Sequence, residues 1–365
     1  MKIAHVLLFV FPVFTAVFII LGVLVLFSGC YTLKQGVTML GYLGRAVPVE
    51  TLGEIPNADP ETREANRRFA ERVRDIRRFA AEELGLRETA NYTKYVDLDR
   101  EYLAAVVSAS GEDSFTRYEW WFPVVGRVPY KGFFNSADAR KEAEKLRKKD
   151  LDVWVRGVDA FSTLGWFQDP LYSFMRSYPV DRLADLIIHE TLHATVYLKN
   201  QSQFNEELAE FVGSEGARLY IEKTFGTDSP EYRRIGDSEA DTAVFLNFIR
   251  GLIAELDGVY QNETGREEKL RRKEEIISAA KKRFEETYDD LYRSEAYRGF
   301  SRLAVNNAYL ELYRLYYAGD HFFQDLYERS GRDLPRFIAA AKTLSPGGDP
   351  RLLLERALME GTPKN

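Results

Sequence analysis

The sequence predicts an α+β fold that is predominantly α-helical, and three observations predict it. Long segments carry apolar residues at the 3.6-residue period of a helix. Strand-favouring aromatic and branched residues gather in a short stretch between Val153 and Leu164, which predicts a small sheet. The most apolar helical segment is followed, after a short polar loop, by a second one, and short loops make antiparallel neighbours.

Taken in order, the chain opens with Lys2 and then an almost wholly apolar stretch, residues 6 to 28, that runs into Ser28-Gly29-Cys30. Small residues before a cysteine at the end of such a stretch resemble a lipoprotein signal peptide over residues 1–29, with lipid on Cys30 and one domain over 30–365. Phe27 stands where a leucine is commoner. The alternative is an uncleaved anchor, since about 20 apolar residues span a bilayer. Either route tethers the domain to a membrane outside the cytoplasm, in a bacterial periplasm or at a cell surface. Cys30 is the only cysteine, which excludes an internal disulfide.

Asn57-Ala58-Asp59-Pro60 reads as a turn opening a charged helix over 61–85. Further helical patterns cover about 136–148, 181–199, 203–223, 236–257, 262–293, 301–318 and 333–343. Between the second and third, Val153-Trp154-Val155 and Ala160 to Leu164, punctuated by Gly157 and Gly165, read as paired strands. The formal net charge is −6, from 50 basic and 56 acidic residues, which leaves no electrostatic case for nucleic-acid binding. Charge runs such as Glu267 to Lys282 read as solvated helix faces.

The helix over 181–199 carries the chemistry. His189-Glu190-Thr191-Leu192-His193 places two imidazoles one turn apart on one face, with Glu190 beside them. Asp181 can cap this helix, and Leu183, Ala184, Leu186, Ile187, Ile188, Leu192 and Val196 give it an apolar body that would bury the motif. A histidine pair at this spacing also occurs in cores and on surfaces, but buried polar groups need partners. Catalytic zinc takes three protein ligands and a water. If the helix ends near Lys199 and the next starts after Ser202, His193 lies about 9 Å before the loop and Glu206 about 6 Å after it, at 1.5 Å per residue. Glu206 is then the third ligand, and Glu210, one turn on, can accept the outward N–H of a ligating histidine. Spacing alone leaves a swap of Glu206 and Glu210 open, and it leaves other divalent metals open beside a single Zn2+.

With these residues in view, the chain resembles the bacterial predicted aminopeptidases of the gluzincin type, lipoprotein-like zinc peptidases in which HExxH is followed by a nearby NExxA segment. Here the second segment reads Asn205-Glu206-Glu207-Leu208-Ala209. Residues 122–134, 155–167 and 169–171 are similar to the same family, and the likeness runs from about Cys30 to the Asp333–Phe337 region. It departs at Gly213, where the family tends to place a glutamate; Glu210 or Glu215 would have to replace it. The resemblance implies a zincin-like metallopeptidase, a peptide substrate, and activity from free amino termini, with endopeptidase activity open. By analogy it also implies a substrate groove along a strand at Ala160 to Trp166, for which a plain core hairpin is the alternative.

Glu190 is the expected general base. Tyr130, Tyr197, Tyr313 and Tyr316 are candidate donors to the oxyanion only because they sit in or near the family-like segments, and each reads more readily as packing. Asp159 or Asp169 could face the substrate ammonium, or serve as a helix cap or turn residue. His321 receives no catalytic role. The competing reading is a zinc-binding lipoprotein with a structural or peptide-binding role and little turnover; Glu190, needed only for catalysis, favours the enzyme.

Overall fold

The first long helix begins where the turn signal predicts it. Asp59 accepts a hydrogen bond from the Thr62 N–H at 2.9 Å, and Pro60, with its fixed φ, occupies the first helical position. The computed structural model describes residues 31, 34–54, 59–122, 126–159, 169–314, 321–345 and 347–360. Its helices are α1 (residues 34–43), α2 (Pro60–Glu82), α3 (Ser136–Arg147), α4 (Val180–Thr195), α5 (Ser202–Phe225), α6 (Pro230–Tyr260), α7 (Arg266–Leu291), α8 (Asn307–Arg314), α9 (Phe322–Arg329), α10 (Leu334–Lys342) and α11 (Pro350–Glu360). Its strands are β1 (Val47–Pro48), β2 (Lys94–Val96), β3 (Ala104–Gly111), β4 (Trp120–Phe122), β5 (Gly126–Val128), β6 (Tyr130–Phe133), β7 (Leu151–Val158) and β8 (Leu171–Tyr172). The fold is thus mostly helical with small sheets.

Three sheets form, in the orders β1-β2-β8, β6-β3-β7 and β4-β5. In the second, β3 pairs antiparallel with β7 along its whole length, from Ala104 opposite Val158 to Gly111 opposite Leu151. The described partners of β7 are therefore not the Ala160–Leu164 segment that the sequence suggests, which lies outside the described residues. β3 reads Ala-Ala-Val-Val-Ser-Ala-Ser-Gly and is buried along nearly all its length. A central strand covered on both faces carries no alternation, so it leaves a weaker signal than a half-exposed one.

Side chains separate into three cores. The largest joins α2 (Phe69, Val73, Ile76), α4 (Leu183, Ile187, Ile188), α5 (Leu208, Val212) and the carboxy-terminal helices α9 to α11. Full burial of one such branched side chain contributes about 1.5–3 kcal/mol. A second core binds α6, α7 and α8 through Phe245, Ile249, Phe284 and Leu310, and a third lies between α3 and the β3 sheet. A buried ion pair, Lys273 Nζ to Asp152 Oδ2 at 2.7 Å, ties the α6–α7 hairpin to β7. Asn307 adds to that tie, donating its N–H to Asp152 Oδ2 and its side-chain amide to Gly111 O.

Several boundaries differ from expectation, each for a visible reason. α6 starts at Pro230 because the Ser229 hydroxyl accepts from Tyr232 N–H and caps it. The expected helix over 301–318 divides into a 3-10 turn at Arg298–Arg302 and α8, which Asn306 restarts by accepting from Tyr309 N–H. Asp181 does not cap α4; Pro179 holds the capping position, and the Asp181 carboxylate accepts from Arg234 of α6. Among the described residues no helix is long and apolar enough to cross a membrane. The apolar segment 6–28, Cys30, Trp166 and Tyr316 lie outside them.

Candidate metal centre

α4 and α5 build the site together. α4 stops at Thr195, four residues earlier than predicted, because Val196 turns extended at φ −130°. The connection to α5 is then held by Asn205, whose side-chain oxygen accepts from Leu198 N–H at 2.9 Å while its amide donates to Leu198 O at 2.8 Å. Asn205 is 2% exposed. It acts as a fixed bracket, and it sets the rotation of α5 so that the next residue, Glu206, faces α4.

Glycines bring the two helices close. A Cβ at Gly216 would stand 3.0 Å from both Ile188 and Leu84 side chains, and one at Gly213 would stand 2.5 Å from Asp185 Oδ1 and 3.1 Å from His189 Cβ. The space that a glutamate at 213 would enter is therefore filled by Asp185, one turn before His189. Glu215, offered by the sequence as a replacement, faces elsewhere: it lies 3.8 Å from Arg218.

The donor atoms of His189, His193 and Glu206 all lie within 4.8 Å of one another. His193 Nε2 is 3.5 Å from Glu206 Oε1, and His189 Nε2 is 3.8 Å from Glu206 Oε2. The two imidazoles stand nearly perpendicular, 84° apart, with centroids 4.9 Å apart. Ligands about 2.1 Å from one tetrahedral ion sit about 3.4 Å from each other, so nitrogen and oxygen donors at these separations fit a zinc-sized ion with little movement. Chemically the set also suits other borderline metals.

Electrostatics prepare the donors differently. Burial, aided by the charge of His193, lowers His189 to about 4, so it is a neutral imidazole. Burial opposes charge on His193 as well, but the Glu206 hydrogen bond and charge, with Glu190, outweigh it and raise its pKa. Without metal, Glu206 thus favours the protonated form of His193, and the hydrogen bond and charge of His193 lower the Glu206 carboxyl in turn. Glu190 goes the other way: burial first, then the charges of Asp169 and Glu206, push it up to about 7 against the pull of His193.

The remaining expected residues divide. Glu210 makes no hydrogen bond to either histidine among the described residues; burial and the neighbouring Glu207 and Glu206 raise its pKa, and its charge in turn acts on Asp185. Asp169 stands close enough to Glu190 for its charge to act on it. Asp159 does not offer an open anion, because Arg182 binds its carboxylate and lays its guanidinium 4.0 Å over the Tyr178 ring. Tyr130 and Tyr197 are exposed on β6 and beyond α4, and Tyr313 packs in the second core against Phe245. A cleft of about 380 Å³ lined by Asp97, Arg100, Ser173, Arg176 and Tyr178 includes none of the donors.

Sequence reasoning missed three residues here. Asn205 was readable only as part of a motif, Asp185 only from its place one turn before His189, and Tyr92, whose backbone meets Asp169, not at all. Its segment is brought in by the pairing of β2 with β8 rather than by any local pattern.

Two imidazoles and a carboxylate converging beside a buried glutamate define a candidate hydrolytic metal centre on an α+β scaffold. The chain belongs to the family described as "Putative aminopeptidase", which it matches over residues 30–351. No curated protein and no solved structure matches it.

Proposed function

We propose that the protein is a zinc-dependent peptidase of the gluzincin type, with a zincin-like catalytic core, that releases residues from the free amino termini of peptides. The observation that carries this reading is the convergence of His189, His193 and Glu206 within 4.8 Å, with Glu190 next to the first histidine. These three residues would hold the metal. Bound there, a divalent ion supplies Lewis acidity and a water whose pKa is about 7. Glu190, raised toward neutrality by burial, accepts a proton from the attacking water and passes it to the leaving amine. Asp169 places negative charge beside Glu190, where it favours a substrate that presents an ammonium group. Residues 6–28 and Cys30 support tethering to a membrane outside the cytoplasm, by lipid on Cys30 or by an uncleaved anchor.

The test is hydrolysis of aminoacyl fluorogenic amides and internally quenched peptides by the full chain, with and without chelator, beside Glu190→Gln. The expected result is chelator-sensitive release of amino-terminal residues by the wild type. Glu190→Gln should lose at least about 100-fold in kcat while keeping its zinc. A zinc-loaded wild type that cuts neither substrate class would overturn the reading.

A further inference from the structure

Tyr31 has a fixed place in the fold. Its hydroxyl donates to Gly132 O of β6, its ring meets Phe133 edge-on with centroids 5.4 Å apart, and the Lys131 ammonium lies 4.6 Å from the ring centre. Cys30 is the next residue back, and one trans peptide keeps consecutive Cα atoms about 3.8 Å apart. A lipid on Cys30, or an uncleaved segment 6–28 running into it, therefore meets the domain with no slack at this point. The surface around Tyr31 is the surface such a tether holds at the bilayer.

One flank of Tyr31 is basic. α3 begins three residues after Phe133 and is joined to the start of α1 by the ion pair of Asp138 with Lys34. Its inner side, Ala139, Ala143 and Leu146, packs on the β3 sheet, while Arg140, Lys141, Lys145, Arg147 and Lys148 stand exposed on the helix and just beyond it. The nearby acids are engaged inward: Asp138 by Lys34, and Glu142 by the Trp120 indole N–H at 2.8 Å and by Lys131 at 3.8 Å. Among the described residues these five cations make no ion pair. Other helices pair their surface cations along their own length, as Arg67 with Glu64 on α2 and Arg271 with Glu268 and Glu275 on α7. In a chain of net charge −6, α3 is a local excess of the opposite sign.

The other flank is apolar. Met39 and Tyr42 of α1 enter the largest core, and the outer side of α1 presents Gly36, Val37, Leu40 and Gly41, with Val37 67% and Leu40 59% exposed. A Cβ at Gly36 or Gly41 would meet nothing within 4 Å. The outer face of a solvated helix ordinarily carries charge, and α1 has none between Lys34 and Arg45.

We infer that α1 and α3 form a membrane-contact surface, in which the cations of α3 engage anionic phospholipid headgroups and Val37 and Leu40 enter the interface beside them. This rests on the tethering proposed above. Cations near an anionic surface and apolar side chains at the acyl boundary are the two attractions a bilayer offers a surface helix. A second copy of the chain is a poorer occupant, because it would bring a second basic α3 against the first. Once the tether is in place each weak contact acts at high local concentration, so the surface sets the orientation of the domain rather than its attachment.

The experiment places the full-length protein in vesicles of phosphatidylcholine alone or with added phosphatidylglycerol. Acetylation of single lysines by a neutral reagent is followed by mass spectrometry, with Lys282 of α7, 77% exposed, as the reference. Lys141, Lys145 and Lys148 should react at least about 5-fold more slowly in the anionic vesicles, with Lys282 unchanged, and high salt should erase the difference. Arg140→Gln/Lys141→Gln/Lys145→Gln and Val37→Ser/Leu40→Ser alter only exposed side chains, so each should keep its melting temperature and lose the protection of Lys148. Equal rates in the two kinds of vesicle overturn the inference, as does protection of Lys148 that survives in either variant. Equal protection by soluble polyphosphate over phosphatidylcholine vesicles would mark a polyanion site instead, which also overturns it. A chain that washes off both kinds of vesicle removes the tether itself, an outcome distinct from a tethered chain whose α3 lysines stay reactive.

Discussion

Asn205 binds Leu198 by both of that residue's backbone groups, in the manner of a strand partner built from a side chain. The bracket gives a reason for an asparagine before the glutamate in the segment Asn205-Glu206-Glu207-Leu208-Ala209: it ties the first turn of α5 to the chain that leaves α4.

Replacing Asn205 with alanine leaves the Leu198 N–H buried and unpaired, and it removes one of the two donors to Leu198 O, which keeps its bond from Gln201 N–H. The expected loss is about 1–3 kcal/mol of stability. Metal affinity should fall about 10-fold or more, because Glu206 loses its support. Urea denaturation and a chelator competition titration read the two effects, and unaltered zinc affinity would show that α5 orients Glu206 without Asn205.

The glycines of α5 predict a contrast. Gly213→Ala presses a methyl against Asp185 and the Cβ of His189, while Gly216→Ala presses one against Ile188 and Leu84. Each should cost about 1–3 kcal/mol by overpacking. Gly213→Ala alone should also weaken metal binding, since only it displaces a candidate ligand. Equal zinc affinities in the two variants would contradict this arrangement.

Protons and metal compete unequally for the two histidines. Burial keeps His189 a neutral imidazole, whereas Glu206 favours the protonated form of His193. Near neutral pH, metal uptake should therefore release about one proton, and affinity should decline on acidification. Calorimetry in buffers of different ionisation enthalpy counts the proton. A count near zero would mean that the His193–Glu206 pair is unprotonated before metal arrives.

Asp185 gives stability a pH dependence. Burial, then the charges of Glu210 and Asp181, raise its carboxyl from 3.8 to about 6. A raised acid is more stable protonated in the fold, so its contribution is complete below its ordinary value and is lost as pH rises through about 6. In chelator-treated protein, Asp185→Asn should exceed wild type by up to roughly 2–3 kcal/mol above about pH 7, and the difference should vanish below about pH 4. Thermal unfolding at the two pH values checks the sign; a variant less stable at high pH would indicate that the ionised carboxylate is favourably bound.

Much of this architecture was legible in the sequence. The helical period located α2, α3, α4, α5 and α7 to within a few residues, and the spacing of His189, His193 and Glu206 anticipated three donors that the fold brings together. What escaped depends on long-range pairing. β3 is too evenly apolar to declare its period, and the Tyr92 backbone meets Asp169 only because β2 runs parallel to β8. Asp159 looked available in the sequence because Arg182, the residue that neutralises it, belongs to a different element. Gly213 looked like a missing carboxylate, when the room for one had been given to Asp185.

The three donors lie on one helical hairpin, residues 189 to 206, whereas Tyr92 and Asp169 arrive from elsewhere in the chain. A hairpin of low contact order can assemble early in folding, while the segment carrying Tyr92 must wait for β2 and β8 to meet. On the proposed reading, the chain could therefore hold a metal ion during synthesis before Asp169 comes beside Glu190. A partly folded copy would then be loaded but inert, which would spare the cell that makes it a peptidase active before the fold is complete.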